Sequence, residues 1–296
     1  MRVLVTGANG HLGLNLCRAL VARRDFTVCA SVRSLADRAK AEPVRALGEV
    51  ELVELEVRNT HQFDAALAGV DTLFHVAATY AVYTGSAEQD REMIRDSVEG
   101  VEIALRAAAR ARVRKVVLTS SVVTLPLVRA DDPPATEADW QTDFRLPYSR
   151  AKAEAERLAW RLAEQLGLKL VAILPGGIGG PGFLRRTPTT DIFEGIMLGS
   201  MRLGAPNGNF TYVDVRDVAT AHILAAEKDV TGRFAICNDE QPAFIEFSRL
   251  MHAIDPNVPA APFVLPSFLS PLLPVFGRST QGSSVRRACS HPRLSR

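Results

Sequence analysis

The chain begins with short apolar runs that alternate with longer stretches of helical periodicity. Runs of this length are typical of strands buried on both faces of a parallel sheet. Strands that alternate with helices connect through right-handed crossovers. The pattern therefore predicts an α/β fold with a doubly wound parallel sheet. The predicted strands lie near residues 2–6, 26–32, 49–55, 71–76 and 114–121.

The second half of the chain is less regular. An Ala- and Glu-rich stretch from residue 148 to about 166 predicts a long helix, because its composition favours helix. The apolar run 168–174, closed by Pro175, predicts a further buried strand. Beyond it the pattern favours helices over 190–201 and 214–228.

Three glycines follow the first predicted strand at regular intervals. Gly7, Gly10 and Gly13 lie between residues 2–6 and a helical stretch that covers 14–24. In a strand–turn–helix unit, such glycines permit a tight turn and a close approach of the backbone to a pyrophosphate, which the helix N-terminus favours. The placement predicts a dinucleotide site. The alternative is a turn without a ligand, because glycines also serve turns and caps.

The second strand ends in Arg33, where a site for NAD(H) usually has an acidic residue for the ribose hydroxyls. A guanidinium at this position can bind a 2′-phosphate through charge-assisted hydrogen bonds. The sequence therefore predicts a preference for NADP(H), with NAD(H) as the other coenzyme. The alternative interpretation is a solvated surface arginine.

These motifs divide the chain into three predicted parts. Residues 1–176 form an NADP-binding Rossmann domain, and residues 177–277 form a smaller C-terminal substrate-binding region, part of which packs back on the sheet. Residues 278–296 are basic, serine-rich and aperiodic, a pattern that predicts a disordered tail.

Composition narrows the class of protein further. The net charge of +2 argues against a nucleic acid as the main partner, and 47% hydrophobic residues allow a large core. The four cysteines and six histidines have no metal-ligand spacing, so we expect no metal site and reduced thiols. The apolar stretch 262–276 contains four prolines and therefore does not predict a membrane span. We expect a cytoplasmic protein.

Tyr148 and Lys152 lie four residues apart at the head of the long predicted helix. Side chains at this spacing share one helix face. An ammonium ~4 Å from a phenol can lower the phenol pKa, usually about 10, by up to roughly three units, so the tyrosine could exchange protons near neutral pH. Ser120 and Ser121 end the strand 114–121, at the edge of the sheet where ligands bind. Coincidence is the alternative explanation of the spacing alone.

Together these residues resemble the extended short-chain dehydrogenase/reductase family. Within that family, Val32-Arg33 and the fourth predicted strand are most similar to the dihydroflavonol-reductase-like branch, followed by a bacterial sugar-epimerase-like branch. The similarity covers about residues 1–250, which is more specific than any one motif. It rests on the turn 6–13, the strand 74–78, Ser121, the segment 148–152 and the segment 210–219.

The resemblance implies a role for each matching residue. Tyr148 would be the proton donor, and Lys152 would bind the nicotinamide ribose and lower the pKa of the tyrosine. Ser121, with Ser120 as the alternative, would hydrogen-bond the substrate carbonyl. The other implied coenzyme contacts are Gly7, Gly10, Leu12 and Gly13 at the pyrophosphate, Arg33 and Lys40 at the 2′-phosphate, Glu56 and Val57 beside the adenine, and Ala77, Ala78 and Pro175 along the path from the adenine to the nicotinamide.

Three positions depart from the family pattern. Glu56-Val57 replaces the usual Asp-Leu beside the adenine. Ser97 replaces an asparagine that belongs to a water-linked proton path behind the lysine. The chain after Pro262 does not match the family's substrate domain, so the substrate stays open.

Three functions are compatible with these observations. The first is an NADP(H)-dependent oxidoreductase that interconverts a small-molecule carbonyl and a secondary alcohol. The second is an NAD-dependent nucleotide-sugar epimerase or dehydratase, against which Arg33 argues. The third is a catalytically silent nucleotide-sensing protein. Predicted helices near 90–112 and 148–166 could also pair two subunits in a homodimer.

Overall fold

The structure, a computed structural model, describes residues 1–78, 85–129, 132–184 and 186–266, together with the backbone of residues 285–286. Its strands, in chain order, are β1 (Arg2–Val5), β2 (Thr27–Val32), β3 (Val50–Glu54), β4 (Thr72–His75), β5 (Lys115–Thr119), β6 (Val128–Arg129), β7 (Lys169–Pro175), β8 (Gly177–Gly179), β9 (Tyr212–Asp214), β10 (Gly232–Ile236) and β11 (Val285–Arg286). Its helices are α1 (His11–Arg23), α2 (Arg38–Arg45), α3 (Thr60–Ala66), α4 (Ala87–Arg110), α5 (Pro147–Leu166), α6 (Pro188–Met197), α7 (Val215–Glu227) and α8 (Phe244–Ile254), and a 3₁₀ helix covers Val122–Thr124.

Seven strands form one parallel sheet in the order β10-β7-β5-β4-β1-β2-β3. The chain therefore winds outward in one direction from β1 through β2 and β3, and in the other from β4 onward. This order confirms the predicted doubly wound sheet of the Rossmann type. It also brings the carboxyl ends of β1, β4 and β5 together at one edge.

Helices cover both faces of this sheet. On one face α1 packs against α7, and their apolar side chains form one core with residues of β1 and β2. On the other face α4 packs along α5, and with α3 they form a second core. The sheet is therefore shielded from water on both faces, which explains why the sequences of its strands are mostly continuous apolar runs.

Local sequence explains where the helices on the second face begin and end. The Ser86 hydroxyl accepts from the amide of Gln89 and caps α4. Helix α5 begins at Pro147, which lacks the amide hydrogen that a first helical position leaves unbonded. It ends at Gly167, whose φ of +65° is a conformation that glycine adopts without strain.

The region after β7 returns to the sheet. Strand β10 pairs with β7 in the register Gly232↔Val171, so it extends the sheet by one strand. Strands β8 and β9 form a separate parallel pair, and α6 packs against α8. The predicted tail, 278–296, lies outside the described residues apart from the backbone of β11, which pairs with β6.

The cysteines differ from the expectation of four reduced thiols. Cys17 and Cys29 are free and buried, and burial raises the pKa of their thiols to about 12 and about 11. Cys237 is disulfide-bonded, so the expectation is wrong for this residue. Spacing along the chain could not reveal this bond, because pairing depends on which cysteines meet in space.

Within the described part of the chain, the helices that are long enough to cross a membrane are too polar to do so, and the apolar ones are too short.

Candidate active site

The glycine turn joins β1 to α1. Gly7 has a φ of +67°, and a methyl group there would lie 2.9 Å from Cα of Ala77. A methyl group at Gly13 would overlap the carbonyl oxygen of Gly7. Both positions therefore require glycine, and the turn lies directly against the segment that follows β4.

The N-terminus of α1 has the properties of an anion site. Gly10 precedes α1, no side chain caps the helix, and the first turn of the helix contains no acidic residue. Leu12 is buried in this first turn. Because the first amides of a helix lack intrahelical acceptors and carry partial positive charge, they suit a pyrophosphate. The turn thus fits the coenzyme group that the sequence predicts there.

Thr6 connects this turn to the end of β4. Its Oγ1 accepts from the amides of Val76 and Ala77, both at 3.0 Å. The hydroxyl proton is then directed to Nδ1 of His75, at 3.2 Å. Burial lowers the pKa of His75 to about 4, and the charge of Lys152 adds to the effect, so this histidine is neutral. Ala77 lies against Gly7, and Ala78 follows it, exposed.

The carboxyl ends of β2 and β3 bring together two residues predicted to bind the coenzyme. Arg33 Nε lies 3.0 Å from Glu56 Oε2 in an ion pair, and both side chains are exposed, at 78% and 41%. A 2′-phosphate bound by Arg33 would therefore compete with the Glu56 carboxylate.

The other predicted coenzyme residues lie in different surroundings. Lys40, on α2, donates to the Asp37 carboxylate at 2.5 Å. Val57 faces α4, where a methyl group at Gly100 would lie 3.5 Å from its Cβ. Pro175 ends β7, buried beside Ile236 of β10.

The two serines after β5 have different partners. Ser120 Oγ donates to Glu156 Oε2 at 2.5 Å, which uses its only proton. Ser121 Oγ accepts from the amide of Val123 at 3.3 Å and so keeps its proton for another acceptor. This difference favours Ser121 over Ser120 as the group that would bond a carbonyl.

Tyr148 and Lys152 lie one turn apart on α5, as the spacing predicts. Tyr148 is half-buried near the start of the helix, against which the 3₁₀ helix after Ser121 packs. Lys152 is buried, and its Nζ donates to the carbonyl oxygen of Thr119 at 3.0 Å. Burial lowers the pKa of Lys152 to about 8, while the nearby charge of Glu156 opposes that effect.

A second buried histidine lies behind Thr119. His222, on α7, is in contact through Nδ1 with the carbonyl oxygen of Val218 at 2.8 Å, so Nδ1 carries the proton. Nε2 then accepts from Thr119 Oγ1 at 2.8 Å. Burial lowers the pKa of His222 to about 4. Thr119 is thus held by Lys152 at its carbonyl and by His222 at its hydroxyl.

Ser97 does not take over the role of the asparagine that the family pattern has at this position. Its Oγ donates to the carbonyl of Met93 in its own helix, at 2.8 Å. This hydroxyl proton is therefore committed within α4.

Several residues of this region were not found by sequence reasoning. Glu156 could have been found, because it continues the four-residue spacing of Tyr148 and Lys152. Thr6, His75 and His222 gave no such signal, because their contacts depend on how distant strands and helices meet.

In the described ranges, no three His, Cys, Asp or Glu side chains are grouped so that they could hold a metal ion.

The fold and this edge of the sheet define a nucleotide-binding enzyme of the short-chain dehydrogenase/reductase type. The model of the NAD dependent epimerase/dehydratase family matches residues 3–237, and the chain belongs to that family. Cinnamoyl-CoA reductase CAD2 of Medicago truncatula is 31% identical over 271 residues, which cover 86% of this chain and 81% of that protein. An anthocyanidin reductase of Vitis vinifera is 26% identical over 268 residues, covering 82% of this chain and 78% of that protein.

Solved structures share the fold. Gre2 of Candida albicans, in complex with NADPH, has a TM-score of 0.77 at 22% identity, and the match covers 90% of this chain and 87% of that chain. UDP-glucuronic acid 4-epimerase of Bacillus cereus has a TM-score of 0.76 at 18% identity, with coverages of 89% and 86%. The curated reductases confirm the predicted branch, and the protein is an NAD(P)-dependent oxidoreductase.

We predict that the glycine turn tolerates a methyl group far better at Gly10 than at Gly13. Gly13→Ala should lower the free energy of unfolding by about 1–3 kcal/mol, because the new methyl group overlaps the Gly7 carbonyl. Gly10→Ala should lower it less, since its methyl group would lie 3.2 Å from the same oxygen. Urea unfolding without coenzyme measures both. Equal losses would contradict this account of the turn.

We predict that the protein loses stability as the pH is lowered below about 6.5, the ordinary histidine pKa. His75 and His222 have folded-state pKa values of about 4, so the unfolded chain binds more protons between these values. The free energy of unfolding should therefore fall by about 1.4 kcal/mol per pH unit for each of them. Urea unfolding at pH 7, 6 and 5 measures the slope. His222→Gln removes one of the two titrating groups, so the slope of the free energy of unfolding against pH should become shallower by about 1.4 kcal/mol per pH unit. An unchanged slope would refute the lowered pKa of His222.

Proposed function

We propose that the protein is an NADP(H)-dependent oxidoreductase that interconverts a carbonyl and a secondary alcohol at a site formed by Ser121, Tyr148 and Lys152. The observation that carries the proposal is the buried Lys152 ammonium, fixed on the Thr119 carbonyl one turn from Tyr148. A cation there favours the phenolate and so brings the phenol pKa toward neutrality. The glycine turn, whose geometry suits a pyrophosphate, lies at the same edge of the sheet and supports the proposal.

Each of the three side chains has a separate task in this reaction. In the direction of reduction, the Ser121 hydroxyl donates to the carbonyl oxygen, and Tyr148 transfers its proton to that oxygen as negative charge develops there. Lys152 stabilises the phenolate that results. In the direction of oxidation, Tyr148 takes the proton of the alcohol. A bound nicotinamide coenzyme would supply the hydride for reduction and accept it in oxidation.

The comparisons support a reductase of small molecules. The relatives are named for the reduction of anthocyanidin and of cinnamoyl-CoA. The region 177–277, which we propose to bind the substrate, contains a cluster of half-buried rings, in which Phe193 lies 5.6–5.8 Å from Phe210, Tyr212 and Phe247. A cytoplasmic location and a homodimer stay predictions from the sequence.

An NAD-dependent nucleotide-sugar epimerase is the second candidate function. The observation that favours it is the Glu56 carboxylate beside Arg33, because an acidic group near this end of the site can accept hydrogen bonds from ribose hydroxyls. Nicotinamide retained through purification, without net turnover of added coenzyme, would favour this candidate over the first.

We predict that Tyr148→Phe abolishes most of the activity while coenzyme binding persists. Aromatic aldehydes and ketones, with NADPH, form the first substrate panel, and loss of NADPH absorbance reports turnover. The variant should lower kcat by about 10²- to 10⁴-fold, the usual contribution of a positioned acid or base. Tyr212→Phe makes the same chemical change in β9 but keeps the ring in the aromatic cluster, so it should lower kcat far less than Tyr148→Phe does. A fully active Tyr148→Phe protein would overturn the proposed site.

We predict that Arg33 and Glu56 affect the choice of coenzyme in opposite directions. Arg33→Ala should weaken NADPH binding by about 10- to 100-fold, the value of a charge-assisted hydrogen bond, and leave NADH binding nearly unchanged. Glu56→Gln should strengthen NADPH binding, because it removes the competing carboxylate. Fluorescence titration with both coenzymes measures the effects. Equal affinities for NADPH and NADH in the unaltered protein would contradict the preference.

A further inference from the structure

A buried ion pair lies behind the candidate active site. Arg233 of β10 donates through Nε to Glu156 Oε1 of α5 at 2.6 Å, and the two side chains are 7% and 1% exposed. Burial of two charges costs free energy that their attraction offsets only when the remaining donors and acceptors are also bonded. The other contacts of the pair therefore show what it holds in place.

Glu156 is bonded on both carboxylate oxygens. Ser120 Oγ donates to Oε2 at 2.5 Å. Trp160 Nε1 donates to Oε1 at 3.3 Å. The carboxylate therefore joins the residue before Ser121 to the helix that carries Lys152, one turn after that lysine.

Arg233 is bonded to the segments on the other side. Nη1 donates to the carbonyl oxygens of Glu137 and Asp139, both at 2.7 Å, and Nη2 donates to Thr124 Oγ1 at 2.8 Å. Its guanidinium carbon lies 3.7 Å from the ring centre of Trp140. One arginine thus fixes the 3₁₀ helix that follows Ser121 and the loop that leads to Tyr148.

We propose that Glu156 and Arg233 are positioning residues, whose ion pair holds Ser121 and Tyr148 in a fixed relative placement. Both residues of the pair are linked to Ser121. Glu156 accepts from Ser120, which directly precedes Ser121. Arg233 donates to Thr124, whose Oγ1 donates to the carbonyl of Ser121 at 2.9 Å. The proposal rests on the proposed function of Ser121, Tyr148 and Lys152. Glu156 and Arg233 act through these residues and not on the substrate.

The pair also balances charge near the reacting groups. The charge of Glu156, on the same helix, and neutral His75, of β4, act on Lys152, and neutral His222 bonds its acceptor residue Thr119. Tyr148 precedes Lys152 by one helical turn. Removal of the Glu156 charge leaves Arg233 unpaired and should lower the pKa of both Lys152 and Tyr148. Removal of the Arg233 charge leaves Glu156 unpaired and should raise both.

The test measures kcat and its pH profile for NADPH-dependent reduction in the full-length protein. Glu156→Gln and Arg233→Gln should each lower kcat by about 100-fold, as small misplacements of reacting groups do. The basic limb of the profile should move to lower pH in Glu156→Gln and to higher pH in Arg233→Gln. The double variant Glu156→Gln/Arg233→Gln, which restores neutrality, should keep the low kcat and return the limb to its original pH.

The same helix offers a matched control. Glu154 accepts from Arg150 Nε at 2.6 Å in an ion pair on the exposed side of α5. Glu154→Gln makes the same chemical change and should leave kcat and the pH profile unaltered.

The two tryptophans provide a spectroscopic readout of the ion pair that does not depend on enzymatic activity. Trp160 bonds Glu156 and Trp140 stacks on Arg233, and the chain has no other tryptophan. Their fluorescence and near-ultraviolet circular dichroism should change in the single variants and stay unchanged in Glu154→Gln. Where a single variant does not fold, the neutral double variant carries the test.

Two results would overturn the proposal. One is a double variant with unaltered kcat, and the other is a pair of single variants whose pH limbs stay in place or move in the same direction. A fully active Tyr148→Phe protein would instead overturn the proposed function itself. An inactive Tyr148→Phe protein beside a fully active double variant would remove only the positioning role.

Discussion

The hydrogen bond from the Lys152 ammonium to the carbonyl of Thr119 joins the central sheet to the helix that carries the candidate chemistry. It forms where the sheet opens. The pairing of β4 with β5 ends at His75↔Leu118, and beyond this point the amides of Val76 and Ala77 turn to the Thr6 hydroxyl. The parting of two strands therefore creates both the edge at which a coenzyme can bind and the acceptor that anchors the lysine.

Protonation states around this bond are decided by the hydrogen-bond partners. Thr6 and Thr119 each direct a hydroxyl proton at a histidine nitrogen, which requires that nitrogen to be an acceptor. Both histidines are buried, so a positive charge on either would be poorly solvated, and a charge on His75 would also be repelled by Lys152. The Lys152 ammonium therefore lies one turn from Tyr148 beside neutral histidines, with Glu156 as its negative neighbour.

Much of this arrangement could be predicted from local patterns. The turn at Gly7 and Gly13, the buried strands and the helix that aligns Tyr148 with Lys152 each depend on residues close in sequence, where periodicity and backbone sterics decide the outcome. Strand β10 escaped prediction because Gly232-Arg233 breaks its apolar run and an edge strand is only partly buried.

Other features were out of reach because they depend on distant contacts. No motif or periodicity near Arg233 marks it for the interior, where it pairs with Glu156, 77 residues away in the chain. The bond at Cys237 and the pairing of Arg33 with Glu56 likewise join residues that no spacing rule connects. The choice between Ser120 and Ser121 needed the positions of their partners, because the two are identical in type and adjacent in sequence.

The return of the chain to β10 has a consequence for divergence within such a fold. The segment between β7 and β10 leaves the sheet and rejoins it at the neighbouring position, so its two ends are pinned by one continuous ladder. Insertions and replacements in the parts of that excursion that do not contact α1 can change its surface while the ladder keeps both of its ends in place. Under the function proposed above, new substrates would be acquired by altering this one segment, while the strands and the glycine turn of the first half are inherited unchanged.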